Sequence, residues 1–146
     1  MIVLASDHRG YPLKEKVKLW LAEAGEQFED VGCFSSESAD YSEFAIKAAE
    51  KVASGEASRG IVICGSGIGV SIAANKVAGV RCSLAHNTFL ARTTRQHNDS
   101  NMLAIGADIT GEALARDIVE VWLKTPFEGG RHQRRIDIIS NYEKKR

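Results

Sequence analysis

The chain has 146 residues, 44% hydrophobic and 26% charged, enough to bury a core in one domain spanning 1–146 without disulfides or metals. Lys and Arg total 19, as do Asp and Glu, which excludes the global basic field of a nucleic-acid binder. Cys33, Cys64 and Cys82 form no CxxC pair and no even framework, no basic leader precedes the first apolar run, and no apolar stretch approaches membrane length, so a cytoplasmic protein is expected.

Short apolar runs alternate with helix-period segments along the whole chain. Ile2–Ala5 reads as a first strand buried on both faces. Pro12 then opens a helix where a missing N–H is harmless, with Leu13, Val17, Trp20 and Ala24 on one stripe and Gly25 at the C-cap. Phe28–Val31 is a weaker second strand. Glu43–Ala53 carries Phe44, Ala45, Ala48, Ala49 and Val52 at helical spacing. Gly60–Cys64 is the third strand, with a helix over Ile68–Lys76, and Val80–Leu84 the fourth. Residues 88–96 are helical in pattern, Met102–Ile105 gives a fifth strand, Gly111–Lys124 a strong amphipathic helix, and residues 132–143 a last one. Such alternation with near-continuous apolar strands predicts an α/β fold, a parallel sheet covered by helices on both faces. Ligands in such sheets bind beyond the carboxyl ends of the strands, where Asp7, His8, Cys64 and Asn87 fall.

The stretch Gly60-Ile61-Val62-Ile63-Cys64-Gly65-Ser66-Gly67-Ile68-Gly69 carries the most chemistry. A buried strand delivers a thiol beside bare backbone N–H groups and a positive helix N-terminus, a place that favours an anion and a thiolate. No Gly-Lys-Ser/Thr follows, so it is not a P-loop, and the glycines alternate as G-x-G-x-G rather than in the dinucleotide spacing. A cysteine phosphatase would need an arginine where Val70 stands, and a serine-hydrolase elbow would need glycine at Cys64. A buried, inert structural cysteine is the bland alternative.

Three further clusters carry polar groups. Asp7-His8-Arg9-Gly10 follows the first strand, where a capping Asp with solvated neighbours fits as well as a site. Arg95-Gln96-His97-Asn98-Asp99 lies between the fourth helix and the fifth strand. Arg131 and Arg135 stand four apart on one helical face, within a basic segment running from 131 to 146. No Cys, His and Asp spacing matches a zinc or iron site.

Taken together, Ser6-Asp7-His8-Arg9-Gly10, Cys64-Gly65-Ser66-Gly67-Ile68-Gly69, Ala73-Ala74-Asn75-Lys76, Arg95-Gln96-His97-Asn98 and Glu128-Gly129-Gly130-Arg131-His132 resemble the ribose-5-phosphate isomerase B family, which includes the galactose-6-phosphate isomerase subunits. The resemblance implies a Rossmann-like three-layer α/β/α fold with a five-stranded parallel sheet. It implies a homodimer or tetramer with active sites at the interface, and no nucleic-acid or membrane partner. It also implies aldose–ketose isomerisation of a sugar phosphate without metal or cofactor, ribose 5-phosphate being the default substrate. Cys64 then matches the base that moves a proton between C1 and C2 through an enediolate. Some members instead use a glutamate two positions after the last loop glycine, where this chain has Ser71. The amides from Gly65 to Gly69, including Gly67 and Ile68, match the enediolate site, where one donor is typically worth about 2.7–4 kcal/mol. Ser66 matches a residue assisting proton movement, His97 the ring-opening acid/base, and Asp7 a group orienting a sugar hydroxyl or ring oxygen. Tyr41 and Asn98 match substrate contacts, and His8, Arg131 and Arg135 phosphate contacts.

One position departs from that pattern. Many members carry an arginine that helps hold the phosphate after the fifth strand, where this chain reads Gly106-Ala107-Asp108. A carboxylate near a dianion opposes binding unless it turns away or another cation compensates. A hexose or tetrose phosphate, an unphosphorylated aldose, or a sugar-binding module without catalysis stay open at this point.

Overall fold

The computed structural model describes residues 1–145. Five strands, β1 (Ile2–Ser6), β2 (Phe28–Asp30), β3 (Arg59–Cys64), β4 (Cys82–Leu84) and β5 (Met102–Gly106), form one all-parallel sheet ordered β2-β1-β3-β5-β4. Helices α1 (Tyr11–Glu23), α2 (Tyr41–Ala53), α3 (Ile68–Asn75), α4 (Thr88–Asn98), α5 (Glu112–Lys124) and α6 (Arg131–Glu143) complete the chain. This is the helix-covered parallel sheet expected from the alternating pattern, and the five-stranded Rossmann-like architecture that the resemblance implies. The chain steps outward from β1 to β2, then returns past β1 to β3, so right-handed crossovers put α1 and α2 on opposite faces. The carboxyl ends of β1 and β3 flank that reversal, which opens a crevice at the rim of the sheet.

Alternation along the strands divides the core in two. Val3, Ala5, Val62, Cys64 and Ala104 face α2 and α3, while Leu4, Ile61, Ile63, Leu103 and Ile105 face the α1, α4 and α5 layer. The alanine stripe Ala45, Ala48 and Ala49 is fully buried and lets α2 lie close to the sheet. On the other face Trp122 of α5 is buried and its indole N–H donates to Ser100 Oγ at 2.9 Å.

Some boundaries differ from those read from periodicity. β4 starts at Cys82 rather than Val80 and β2 ends at Asp30 rather than Val31. The fourth helix continues through His97 and Asn98, ending on Asp99 in a left-handed conformation (φ 45°). Its last turn is polar, so hydrophobic spacing gives no sign of it. The turn is held by Arg95, whose guanidinium donates to Asp99 Oδ1 (2.9 Å), Ser100 O (2.6 Å) and Thr125 O (3.2 Å). His97 is therefore a helical residue, not a loop one. No helix among the described residues is long and apolar enough to cross a membrane.

Candidate active site

Cys64 ends β3 with 4% of its surface exposed. The chain turns sharply behind it because Gly67 takes φ +78°, a conformation that costs a side-chain-bearing residue about 1–2 kcal/mol. That turn aims the Gly67 N–H at Cys64 Sγ, 3.2 Å away, at the head of α3. A backbone donor and a helix N-terminus thus converge on one sulfur, and both favour negative charge there. Burial pushes the Cys82 thiol up to about 12 against a weaker opposing bond from Ser71, so Cys82 stays a neutral core residue.

The loop amides are not all free. Gly67 is committed to sulfur, and the Ile68 N–H donates to Ser66 Oγ at 3.2 Å. Gly65, Ser66 and Gly69 are left to offer N–H groups to a ligand. Ser66 is exposed and caps the first turn of α3. Tyr41, the first residue of α2, lies across Gly69: a Cβ there would stand 2.7 Å from the ring.

Asp7 and His8 follow β1 on the same rim. Asp7 is 6% exposed, and its Oδ1 accepts the N–H groups of Arg9 (3.0 Å) and Gly10 (2.9 Å). Asp7 thus closes the turn ahead of α1 and does not cap the helix, whose N-cap is Gly10 and carries no side-chain bond. His8 Nδ1 lies 3.1 Å from the Ala39 nitrogen and 3.3 Å from the Ala39 carbonyl oxygen, so the ring is held against the backbone just ahead of α2.

His97, Asn98, Arg131 and Arg135 lie elsewhere. The fourth helix starts just past the carboxyl end of β4 and runs back about 16 Å, eleven residues at 1.5 Å each. His97 therefore sits at the amino edge of the sheet, where the Asn98 carbonyl accepts from Arg81 Nε at 3.0 Å, just ahead of β4. There the His97 ring stacks on His132 (centroids 4.3 Å apart, planes 13° apart). Glu128 Oε1 lies 4.0 Å from His97 Nε2 and 3.6 Å from His132 Nε2. His97, Asn98, His132 and Arg135 line a cavity of about 550 Å³ beside α6, to which Cys64, Asp7 and Tyr41 do not contribute. Burial first, then His97 and Arg131, hold His132 below the usual histidine value, so it is neutral near pH 7.

Spacing gave no sign of the His97–Glu128–His132 group, whose ligand atoms lie within 4.8 Å of one another. It has the donors for a metal ion, but the neighbouring Arg131 and Arg135 charges oppose a dication there. One chain thus holds two separate polar clusters at opposite edges of its sheet, and does not itself bring Cys64 to His97.

Asp108, the departure noted above, does not stand alone. Its Oδ2 accepts from Arg9 Nη2 at 2.5 Å and Nε at 2.8 Å. The sequence marked the cluster that holds Arg9 but gave no sign of this pairing, because the partners are 99 residues apart.

A doubly wound parallel sheet with its polar loops gathered at the carboxyl rim defines a Rossmann-like α/β protein that handles a small ligand, and the G-x-G-x-G spacing sets it apart from the dinucleotide-binding kind. The Ribose/Galactose Isomerase family matches residues 2–139, and the chain belongs to that family of enzymes. Ribose-5-phosphate isomerase B of Escherichia coli is 45% identical over 145 residues, covering 99% of this chain and 97% of its own. The solved ribose-5-phosphate isomerase B of Clostridium thermocellum is 50% identical with a TM-score of 0.97, covering 99% of this chain and 97% of that one. That of Mycoplasma genitalium, solved with bound ribulose-5-phosphate, is 40% identical with a TM-score of 0.95 and the same coverage.

Proposed function

We propose that this chain acts as one isomerase domain that interconverts ribose 5-phosphate and ribulose 5-phosphate, with Cys64 as the base. The observation that carries the reading is the Gly67 N–H aimed at Cys64 Sγ at the head of α3. Aldose–ketose isomerisation moves one proton between C1 and C2, so it needs a base over one face of the enediolate and donors for the oxygens. Cys64 takes the proton from C2 and returns it to C1. The amides of Gly65, Ser66 and Gly69 hold the developing oxyanion, and Ser66 Oγ passes a proton between the two oxygens. Asp7 orients a hydroxyl, and Tyr41 limits the sugar at the Gly69 flank. His97 opens the ring, Asn98 contacts the sugar, and His8, Arg131 and Arg135 hold the phosphate. Side chains carry every proton and the amides hold the developing charge, so this route requires no metal or cofactor.

His97, Asn98, Arg131 and Arg135 come from a second copy. Two features support that arrangement: the half-sites lie at opposite edges of one sheet, and α3 and α6 carry exposed apolar residues, Ile68 and Ile72 on the first, Ile138, Ile139 and Tyr142 on the second. A two-fold dimer would make both contacts reciprocal and build two sites. Such an enzyme works in the cytoplasm, where the free thiols stay reduced.

The test is turnover of ribose 5-phosphate in the presence of a chelator, beside tetrose phosphate, hexose phosphate and free ribose. Cys64→Ala lowers kcat by about a hundredfold or more; turnover by that variant at the wild-type rate refutes the thiol base. Cys64→Ala and His97→Asn chains, each inactive, regain about a quarter of wild-type activity when unfolded and refolded together, since half the dimers then hold one intact site. No recovery in mixed dimers, verified by differential tags, refutes the shared site.

A further inference from the structure

Arg9 is an exposed, permanently charged side chain held directly on the loop that carries Cys64. Its guanidinium gives two of five N–H groups to Asp108 Oδ2, and the others have no partner among the described residues. The contact with the loop is close: a Cβ on Gly65 would stand 2.9 Å from Arg9 Nε and 2.7 Å from Asp108 Oδ2. Asp108 is itself pinned, because its N–H donates to Gly65 O at 2.9 Å and the Ala107 N–H to Cys64 O at 2.8 Å. The Arg9–Asp108 pair is therefore fastened to the Cys64 loop.

Stability does not account for this pair. Arg9 and Asp108 side chains are 59% and 44% exposed, and such ion pairs add little to folding. What the carboxylate does is fix a long, flexible side chain in one orientation, so that less ordering is left for a ligand to impose. The two flanks of the loop are also unlike. Tyr41 closes the Gly69 side with an aromatic ring, while the Gly65 side, reached from the turn after β1 and the turn after β5, offers a guanidinium. Planar forks of this kind match phosphate oxygens two at a time.

We infer that Arg9, oriented by Asp108, is a phosphate-binding residue of the Cys64 half-site, and that the phosphate end of the sugar lies over the Gly65 flank with its reacting end toward Gly69. Asp108 is a positioning residue: its charge is spent on Arg9, so it does not repel the dianion as an unpaired carboxylate would. This rests on the isomerase reading for the identity of the ligand, but phosphate binding tests it separately.

Arg9→Met keeps the bulk of the stem and removes the fork. In steady-state kinetics on ribose 5-phosphate its KM rises about tenfold or more while kcat changes less than about threefold. Arg9→Lys, a cation without the fork, falls between the two. Arg9→Met/Asp108→Arg supplies the cation from the facing turn and returns KM to within about threefold of wild type. Calorimetric titration of the wild-type chain with inorganic phosphate at fixed ionic strength shows binding that Arg9→Met weakens by about the same factor as KM. A KM unchanged in Arg9→Met, a fall in kcat alone, or a double variant no better than the single overturns the inference while leaving the isomerase intact. Should the wild-type chain turn over no sugar phosphate, the isomerase reading fails, and phosphate affinity judges Arg9: absent from wild type, or equal in Arg9→Met, it overturns the assignment.

Discussion

Gly67→Ala tests the strand–loop–helix geometry on which the site depends. Gly67 sits at φ +78°, where a Cβ costs about 1–2 kcal/mol through backbone strain alone. That Cβ would also stand 2.5 Å from Leu84 Cδ1 and 2.9 Å from Gly106 N and Ile105 C. Backbone atoms of a central strand do not yield as a side chain would, so overpacking adds about 1–3 kcal/mol. The sum, about 2–5 kcal/mol, lowers Tm by about 6–20 °C at the 3–4 °C per kcal/mol expected for a chain of this size. Gly79→Ala is the control, since Gly79 has φ +89° and nothing within 4 Å of a new Cβ. It carries the strain without the clash and drops Tm by about 3–8 °C. Calorimetry or circular dichroism at one fixed chain concentration measures both. Gly67→Ala also tilts the N–H away from Cys64 Sγ; a hydrogen bond to a charged group is worth about 1.5–3 kcal/mol, so kcat falls about ten- to a hundredfold. Equal Tm losses in the two variants would refute the close approach of the loop to β5, and an unchanged kcat in Gly67→Ala would refute the role of its amide.

Two further outcomes rest on buried polar groups. Lys14 is fully buried, bonded to Asp30 Oδ1 (2.6 Å) and to the Cys33 carbonyl. Lys14→Met costs about 3 kcal/mol, the low end for breaking a buried pair, because Asp30 keeps Lys18 at 3.0 Å and the Gly32 N–H at 2.9 Å; chemical denaturation within about 1 kcal/mol of wild type would contradict it. His132 is held below its unfolded value of 6.5 in the fold. The unfolded chain therefore binds its proton first as pH falls, so His132 contributes stability that is present above pH 6.5 and lost toward the lower folded value. His132→Asn removes that part of the slope, which a Tm series across the acid range would show; parallel curves for the two proteins would contradict the shift.

The hydrophobic pattern carried the element order and fold class, since each strand and helix records locally what it buries. Val3 and Leu4, or Val62 and Ile63, announce a strand covered on both faces whatever follows them in the chain. Local chemistry also placed Cys64 at a strand end and Gly67 in the turn behind it, because a left-handed residue and a helix start both have sequence signals. The last turn of α4 was missed for the complementary reason: Arg95, His97 and Asn98 gain their partners from Ser100, Thr125, His132 and Arg81, none of which a periodicity can see.

The tertiary structure decided which polar groups meet. His97 and Cys64 both flank strands, but α4 runs antiparallel to the sheet and carries His97 to the far edge, so sequence proximity to a strand did not mean proximity to the rim. Asp108, read alone, was a carboxylate standing where a cation was expected. The order β2-β1-β3-β5-β4 brings the turns after β1 and β5 to either side of β3, and there it meets Arg9. Burial is written residue by residue, whereas charge pairing is written between residues 99 apart, and only the strand order makes them neighbours.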